Sequence, residues 1–185
     1  HQDQVAVAFG GLNRIDFHRD GFFEVKPILI SRRRRELLGQ HLMLFFTGVS
    51  RDSAKVAATQ IANVHYSTDN LMRMYKQVDQ AIQVLTDTDC DIREFGHMLH
   101  EGWQLKKALS DAVSTSHIDS IYQRAMVAGA IGGKILGAGG GGFMLFFVPP
   151  ARREAVADAL KELTHVPFGF DHGGSQVIFY NPASS

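Results

Sequence analysis

The sequence predicts an α+β fold, an antiparallel sheet with helices gathered on one side of it. Three observations predict it. Two short apolar runs of strand type stand far apart, His41 to Thr47 and Phe143 to Val148. Between them about eighty residues carry helical periodicity, with apolar side chains three and four apart. After the second run come a short amphipathic helix and one more strand-like segment.

In chain order, Leu12 to Phe17 alternates apolar and polar side chains imperfectly, Asp20-Gly21 supplies a turn, and Phe22 to Ile30 returns, which reads as a β-hairpin. Arg32 to Arg35 is a four-arginine run, read as a solvated turn or helix start, with anion binding as the alternative. Gly39 interrupts this pattern before the strand His41 to Thr47, which ends in Gly48-Val49-Ser50-Arg51. Ala54, Ala57, Ile61 and Val64 share one helical face, and Leu71, Met74, Tyr75, Val78, Ile82 and Leu85 share the next, with Asp69 or Asn70 as N-cap. A third stripe is Ile92, Phe95, Leu99, Trp103 and Leu109, read as core rather than cofactor contacts. Ile118 to Ile131 places Ile118, Ile121, Tyr122 and Ala125 on one face, and leads into the glycines before Phe143. Pro149-Pro150 opens a short helix with Val156, Ala159, Leu160 and Leu163 inward, since proline is tolerated in a first turn. Gly173-Gly174 then precedes Gln176 to Tyr180, read as a last strand.

Composition narrows the function classes. Nineteen basic and nineteen acidic side chains balance, which argues against a general polyanion or nucleic-acid binder; any phosphate recognition must be local. A length of 185 residues, 45% of them hydrophobic, suits one domain or one and a fraction with a sizeable core. The lone Cys90 excludes an internal disulfide framework and fits a reducing compartment. No apolar run approaches the ~20 residues that span a bilayer, and the first residues lack a signal-peptide pattern. The expectation is a soluble cytoplasmic protein without membrane attachment.

The segment from Gly129 to Val148, GAIGGKILGAGGGGFMLFFV, concentrates glycine, with four in a row at Gly139 to Gly142. Glycine reaches φ > 0 and lets backbone amides approach a ligand, at an entropic cost that a purely structural loop avoids. Successive amides in such a loop form a concavity suited to anionic oxygens. Gly137 to Gly142 satisfies G-x-G-x-x-G in form, but a dinucleotide fingerprint follows a strand and opens a helix, and here the order reads as reversed. Gly133-Lys134 resembles the end of a phosphate-binding Walker loop, yet Ile135 stands where a magnesium-binding Ser or Thr belongs. Tight helix-to-strand packing accounts for one or two glycines, not four consecutive ones.

GGKILGAGGGGFMLFFVP resembles the C-terminal glycine-rich motif of the GHMP small-molecule kinases. A second match lies at the other end, where His1-Gln2-Asp3-Gln4 followed by Phe9-Gly10-Gly11 resembles the segment carrying the catalytic aspartate in the sugar kinases of that family. The wording QDQ followed by AFGG is closest to the heptose-phosphate branch and less close to fucokinases. The resemblance spans essentially the whole chain. It implies a ferredoxin-like C-terminal lobe with extra helices, preceded by the last strands of an N-terminal lobe, with residues 1–38 trailing that lobe and 39–185 forming the C-terminal one. It also implies ATP and magnesium as cofactors, held largely by residues upstream of His1, so that this chain is expected to be a fragment and inactive alone.

Under that resemblance Asp3 is the base that orients the acceptor hydroxyl and takes its proton, with Gln2 beside it in the substrate site. The bland alternative is an exposed aspartate capping a following turn. Gly137, Ala138, Gly139, Gly140, Gly141 and Gly142 lend amides to the phosphoryl group or substrate, and a Cβ at Gly140 or Gly141 is expected to block the loop. Lys134 is expected to face solvent, with positive charge lent to the loop as the lesser alternative. Thr47, Ser50 and Arg51, between a strand and a helix, are candidates for the distal phosphate of a sugar phosphate, against plain helix capping by Ser50 or Asp52.

Two patterns are set aside. Asp87, Asp89 and Asp91 have calcium-loop spacing, but Ile92 and Met98 occupy positions that need Gly and Glu. His97, His100 and Glu101 lack a third ligand at a known spacing, so no metal site is assigned in this chain. The activity implied is ATP-dependent phosphorylation of the anomeric C1 hydroxyl of D-glycero-D-manno-heptose 7-phosphate, serving surface polysaccharide synthesis. Fucokinase or another sugar-1-kinase is the alternative within the class, and a catalytically silent sugar sensor the alternative outside it. The expected partners are the sugar phosphate and the N-terminal lobe of the same enzyme, with a homodimer left open.

Overall fold

A computed structural model describes residues 2–49 and 67–179, which fall into two compact units, residues 1–29 with 169–185 and residues 30–168. The predicted helix face Ala54 to Val64 lies outside the described residues.

The first unit opens with α1, Gln2–Phe9, followed by the predicted hairpin of β1, Asn13–Phe17, and β2, Phe23–Pro27, paired antiparallel from Asn13 opposite Pro27 to Phe17 opposite Phe23. Asp16 binds Arg14 at 2.9 Å and Lys26 at 3.3 Å, and the Arg14 hydrogen bond, ahead of Lys26, holds its carboxyl below the usual range. Gly10 needs both its freedoms: φ is +63°, and a Cβ there would lie 2.4 Å from the Gly174 amide nitrogen. The two glycine pairs, Gly10-Gly11 and Gly173-Gly174, therefore let the end of α1 and the returning chain touch backbone to backbone, with Gly11 donating to Asp171 O and Ser175 to Ala8 O. Residues 176–179 are not the predicted strand. Nothing among the described residues pairs with them, and Val177, Ile178 and Phe179 remain largely exposed. A short apolar run such as Val177-Ile178-Phe179 becomes a strand only beside a partner edge, and that requirement is not local.

In the second unit, Ser31 caps α2, Arg32–His41, by accepting from the Arg34 amide at 3.1 Å. Gly39 does not break the pattern; it sits inside this helix. Nor is the arginine run wholly solvated: Arg34 is buried, its guanidinium donating to Val84 O near the end of the helix Thr68–Thr86 and to Cys90 O in the loop after it. Then follow β3, Leu42–Phe46; α3, Thr68–Thr86; α4, Arg93–Lys107; and α5, Ser116–Ala128, which Thr115 caps at its N-terminus. Gly129, left-handed at φ +114°, ends α5, so the helix stops short of Ile131. β4, Gly132–Ile135, which the sequence reading missed, and β5, Phe143–Phe147, form a hairpin; α6, Arg153–Ala159, and β6, Thr164–Val166, also missed, complete the unit.

The sheet order β4-β5-β3-β6, antiparallel throughout, is the ferredoxin-like arrangement of two interleaved βαβ halves, with α3 to α5 filling the first crossover. Met43, Phe45, Met144, Phe146 and Ile135 alternate onto one sheet face and meet Trp103, Ile118, Ile121, Tyr122 and Ala125 in a single core. Val156 on α6 and Leu160 just after it close the core, as their spacing predicts. Gly132 lets α4 ride directly on β4.

Candidate functional site

The glycine run is the turn between β4 and β5, a strand-to-strand connection rather than the helix-to-strand bend expected from the sequence. Four of its glycines are left-handed: Gly137 at φ +70°, Gly139 at +117°, Gly140 at +76° and Gly142 at +95°. Two neighbouring segments hold it. Gly140 donates its amide to Val113 O at 2.9 Å, and Gly142 donates to Val49 O at 2.7 Å. A Cβ would lie 2.7 Å from Val113 O at Gly139 and 2.6 Å from Val49 O at Gly141. The loop is thus clamped between the α4–α5 connection and the segment leaving β3, and two of its amides are spent inward instead of on a ligand.

Thr47 belongs to this clamp. Its amide and its hydroxyl both donate to Gly142 O at 2.9 Å, and the side chain is buried. The structure therefore uses Thr47 to tie β3 to the loop, where the sequence suggested contact with substrate. His117 approaches Thr47 O through Nε2 at 3.1 Å, adding a tie from the start of α5. Ser50 and Arg51 lie outside the described residues. Gln2 and Asp3 stand exposed in the first turn of α1, in the first unit.

Lys134 does not face solvent freely. It is partly buried on β4, and desolvation draws its ammonium below the usual range. Lys106, in the last turn of α4, donates to Gly137 O; burial first, and the charge of Lys134 second, bring it down to about 8. Neither Lys106 nor the anchoring carbonyls of Val49 and Val113 carried a sequence signal, because a carbonyl has no side-chain identity and a lysine ending a helix is commonplace.

The patterns set aside above have structural employment. His100 Nδ1 lies 2.8 Å from the Tyr122 hydroxyl, whose pKa burial pushes up to about 12, so the phenol is neutral. Asp87 accepts from the Asp89 amide, and Asp91 pairs with Arg93.

Residues 88–165, which contain the glycine loop, α4, α5 and α6, match the family model described as GHMP kinases C terminal. The chain carries a GHMP kinase C-terminal domain. D-glycero-alpha-D-manno-heptose 7-phosphate kinase of Campylobacter jejuni is 30% identical over 162 residues, covering 87% of this chain and 48% of that protein. Mevalonate kinase of Pyrococcus horikoshii is 35% identical over 173 residues, covering 89% and 47% respectively. The crystal structure of a D-glycero-D-manno-heptose 1-phosphate kinase from Bacteroides thetaiotaomicron superposes with a TM-score of 0.65 at 27% identity, over 94% of this chain and 46% of that one. The chain spans about half the length of the curated relatives it matches.

The GHMP domain carries the two lysines at a cost that is measurable. A lysine whose folded pKa is about 8, below the ordinary 10.5, binds its proton less well folded than unfolded, so this group's contribution to stability rises as pH climbs from about 8 to 10.5. Lys106→Met is therefore expected to raise the melting temperature at pH 7 by ~2 °C or more, the gain shrinking toward pH 10.5. Calorimetry across that range checks it. A variant less stable than its parent at pH 7 would show that the bond to Gly137 O outweighs the burial penalty.

Proposed function

We propose that the chain is the C-terminal half of an ATP-dependent sugar kinase, acting on the anomeric C1 hydroxyl of a sugar phosphate, D-glycero-D-manno-heptose 7-phosphate. The observation that carries this reading is the clamped glycine loop, four left-handed residues anchored by Val49 and Val113 with two half-buried lysines beside it. Such a loop offers fixed dipoles and positive charge to an oxyanion, and phosphoryl transfer is catalysed mostly by positioning and charge stabilisation. The heptose assignment is supported by the 30% identity to the Campylobacter jejuni enzyme together with Gln2-Asp3-Gln4 and Ala8-Phe9-Gly10-Gly11.

ATP, when bound, supplies the phosphoryl group. Of this chain's residues, Gly137, Gly139 and Gly141 of the loop, with Lys106 and Lys134, suit a phosphate, since Gly140 and Gly142 spend their amides on Val113 and Val49; no magnesium ligand is assigned to the chain. Asp3 orients the acceptor hydroxyl and accepts its proton as the oxygen attacks phosphorus, with Gln2 assisting in holding the sugar. Arg51 and Ser50 remain the candidates for the distal phosphate.

A second reading, mevalonate kinase, is favoured by the 35% identity to the Pyrococcus horikoshii enzyme. Assay of this chain joined to its N-terminal lobe separates the two. Heptose 7-phosphate is expected to exceed fucose, galactose and mevalonate in kcat/KM by ~100-fold or more, a margin typical of a site built around a charged group. Preferential turnover of mevalonate would overturn the assignment. The chain by itself is expected to turn over no ATP.

A further inference from the structure

Lys106 and Lys134 form a cationic pair that no carboxylate neutralises among the described residues. Lys134 stands on β4 opposite Leu145, and Lys106 closes α4 against the first carbonyl of the glycine loop. Lys134 lies three residues before Gly137, whose carbonyl accepts from Lys106 Nζ, so both lysines border the start of the loop; burial lowers both, and the charge of Lys134 adds to the lowering at Lys106. Among the described residues neither is paired with a carboxylate. The adjacent Lys107 shows what a structural lysine does here: it binds Asp119 at 3.1 Å and lies over the Trp103 ring. Complementing the C-terminal end of α4 explains a lysine at position 106 or 107, but it does not explain Lys134 in the sheet. Two like charges drawn partly out of water repel each other and lose solvation, an arrangement relieved when an anion completes it.

We propose that Lys106 and Lys134 together form a binding site for a phosphate dianion at the entrance of the glycine loop. Lys106 Nζ is held in place by Gly137 O, so the loop's conformation and the charge beside it are coupled. The phosphate has two sources, the group an acceptor sugar phosphate already carries or the nucleotide; the choice between them rests on the sugar-kinase reading, whereas the site itself does not.

Inorganic phosphate is the first probe, titrated into this chain by calorimetry at pH 7. Lys106→Met and Lys134→Met are each expected to weaken binding by ~10-fold or more, and Lys134→Arg to stay within ~3-fold of the parent, since it keeps the charge. Lys161→Met, on the exposed surface after α6, is expected to bind as the parent does. Melting curves on the same samples identify any variant that fails to fold, and the Arg variant then carries the comparison. Absence of phosphate binding by the parent, or equal binding by the folded Met variants, overturns the proposal. With the N-terminal lobe present, a raised KM for the sugar phosphate assigns the pair to the acceptor, and a raised KM for ATP assigns it to the nucleotide. Unchanged KM for both overturns it. Phosphate binding that needs both lysines, in an enzyme that turns over no sugar, upholds the site while rejecting the sugar-kinase reading.

Discussion

Asp3→Asn, placed in the enzyme assembled from this chain and its N-terminal lobe, is expected to lower kcat by about 10²–10⁴-fold while leaving KM for both substrates nearly unchanged. The expectation follows from what the substitution preserves. Asn keeps the size of Asp and one acceptor oxygen, and position 3 lies exposed in the first turn of α1, where no packing depends on it. The capacity to accept a proton is lost, together with the negative charge and one acceptor oxygen. An acceptor hydroxyl that has nowhere to send its proton is a poor nucleophile, and a defect confined to kcat is the signature of an interaction made in the transition state alone. Steady-state kinetics over a range of acceptor concentrations reads it directly. Transfer at the parental rate would leave Asp3 as a helix-start residue and move the base elsewhere.

Gly132→Ala is the substitution expected to damage the fold most. The added methyl would lie 2.0 Å from Gly96 O and 2.8 Å from the His100 amide nitrogen, both backbone atoms of α4. Neither can rotate away, so α4 must lift off β4, and the core residue Trp103 on the same helix must move with it. Overpacking of this kind costs ~3 kcal/mol at the upper end of its usual range, which at a urea slope of ~1–3 kcal/mol/M lowers the unfolding midpoint by roughly 1–3 M. Gly137→Ala supplies the contrast: φ is +70° but nothing lies within 4 Å of the added carbon. Its cost is that of the left-handed backbone alone, ~1–2 kcal/mol. Equal midpoints for the two variants would mean that backbone conformation, and not the contact between helix and strand, sets the requirement for glycine.

The fold class, the β1–β2 hairpin, the strands near 42 and 143 and the apolar faces of α4 and α5 were legible because each is written in local periodicity, whereas on α3 Tyr75 and Val78 of the expected inner face stay exposed. β4 was not. Gly132-Gly133-Lys134-Ile135 has no strand propensity, and it becomes a strand because β5 offers hydrogen bonds on one side while α4 needs a surface without side chains. The error at residues 176–179 is the converse, strand-like residues that find no partner strand among the described residues. In the candidate site, the glycine run was visible as a loop of unusual backbone, yet its anchoring was invisible, since Val49 and Val113 act through carbonyls that every residue possesses. Thr47 looked like a ligand-binding hydroxyl because nothing in its neighbourhood in sequence reveals that Gly142, ninety-five positions later, takes its hydrogen bond.

The sequence by itself determined which backbone can be left-handed and which side chains must be buried, because those are properties of single residues and short periods. Tertiary structure alone decided that the glycine loop joins two strands, that its amides at Gly140 and Gly142 turn inward, and that Lys106 reaches the start of the loop near Lys134 with no carboxylate paired to either among the described residues. Those are distances between segments remote in the chain. Only the packing of α4 against β4 brings them to the same place.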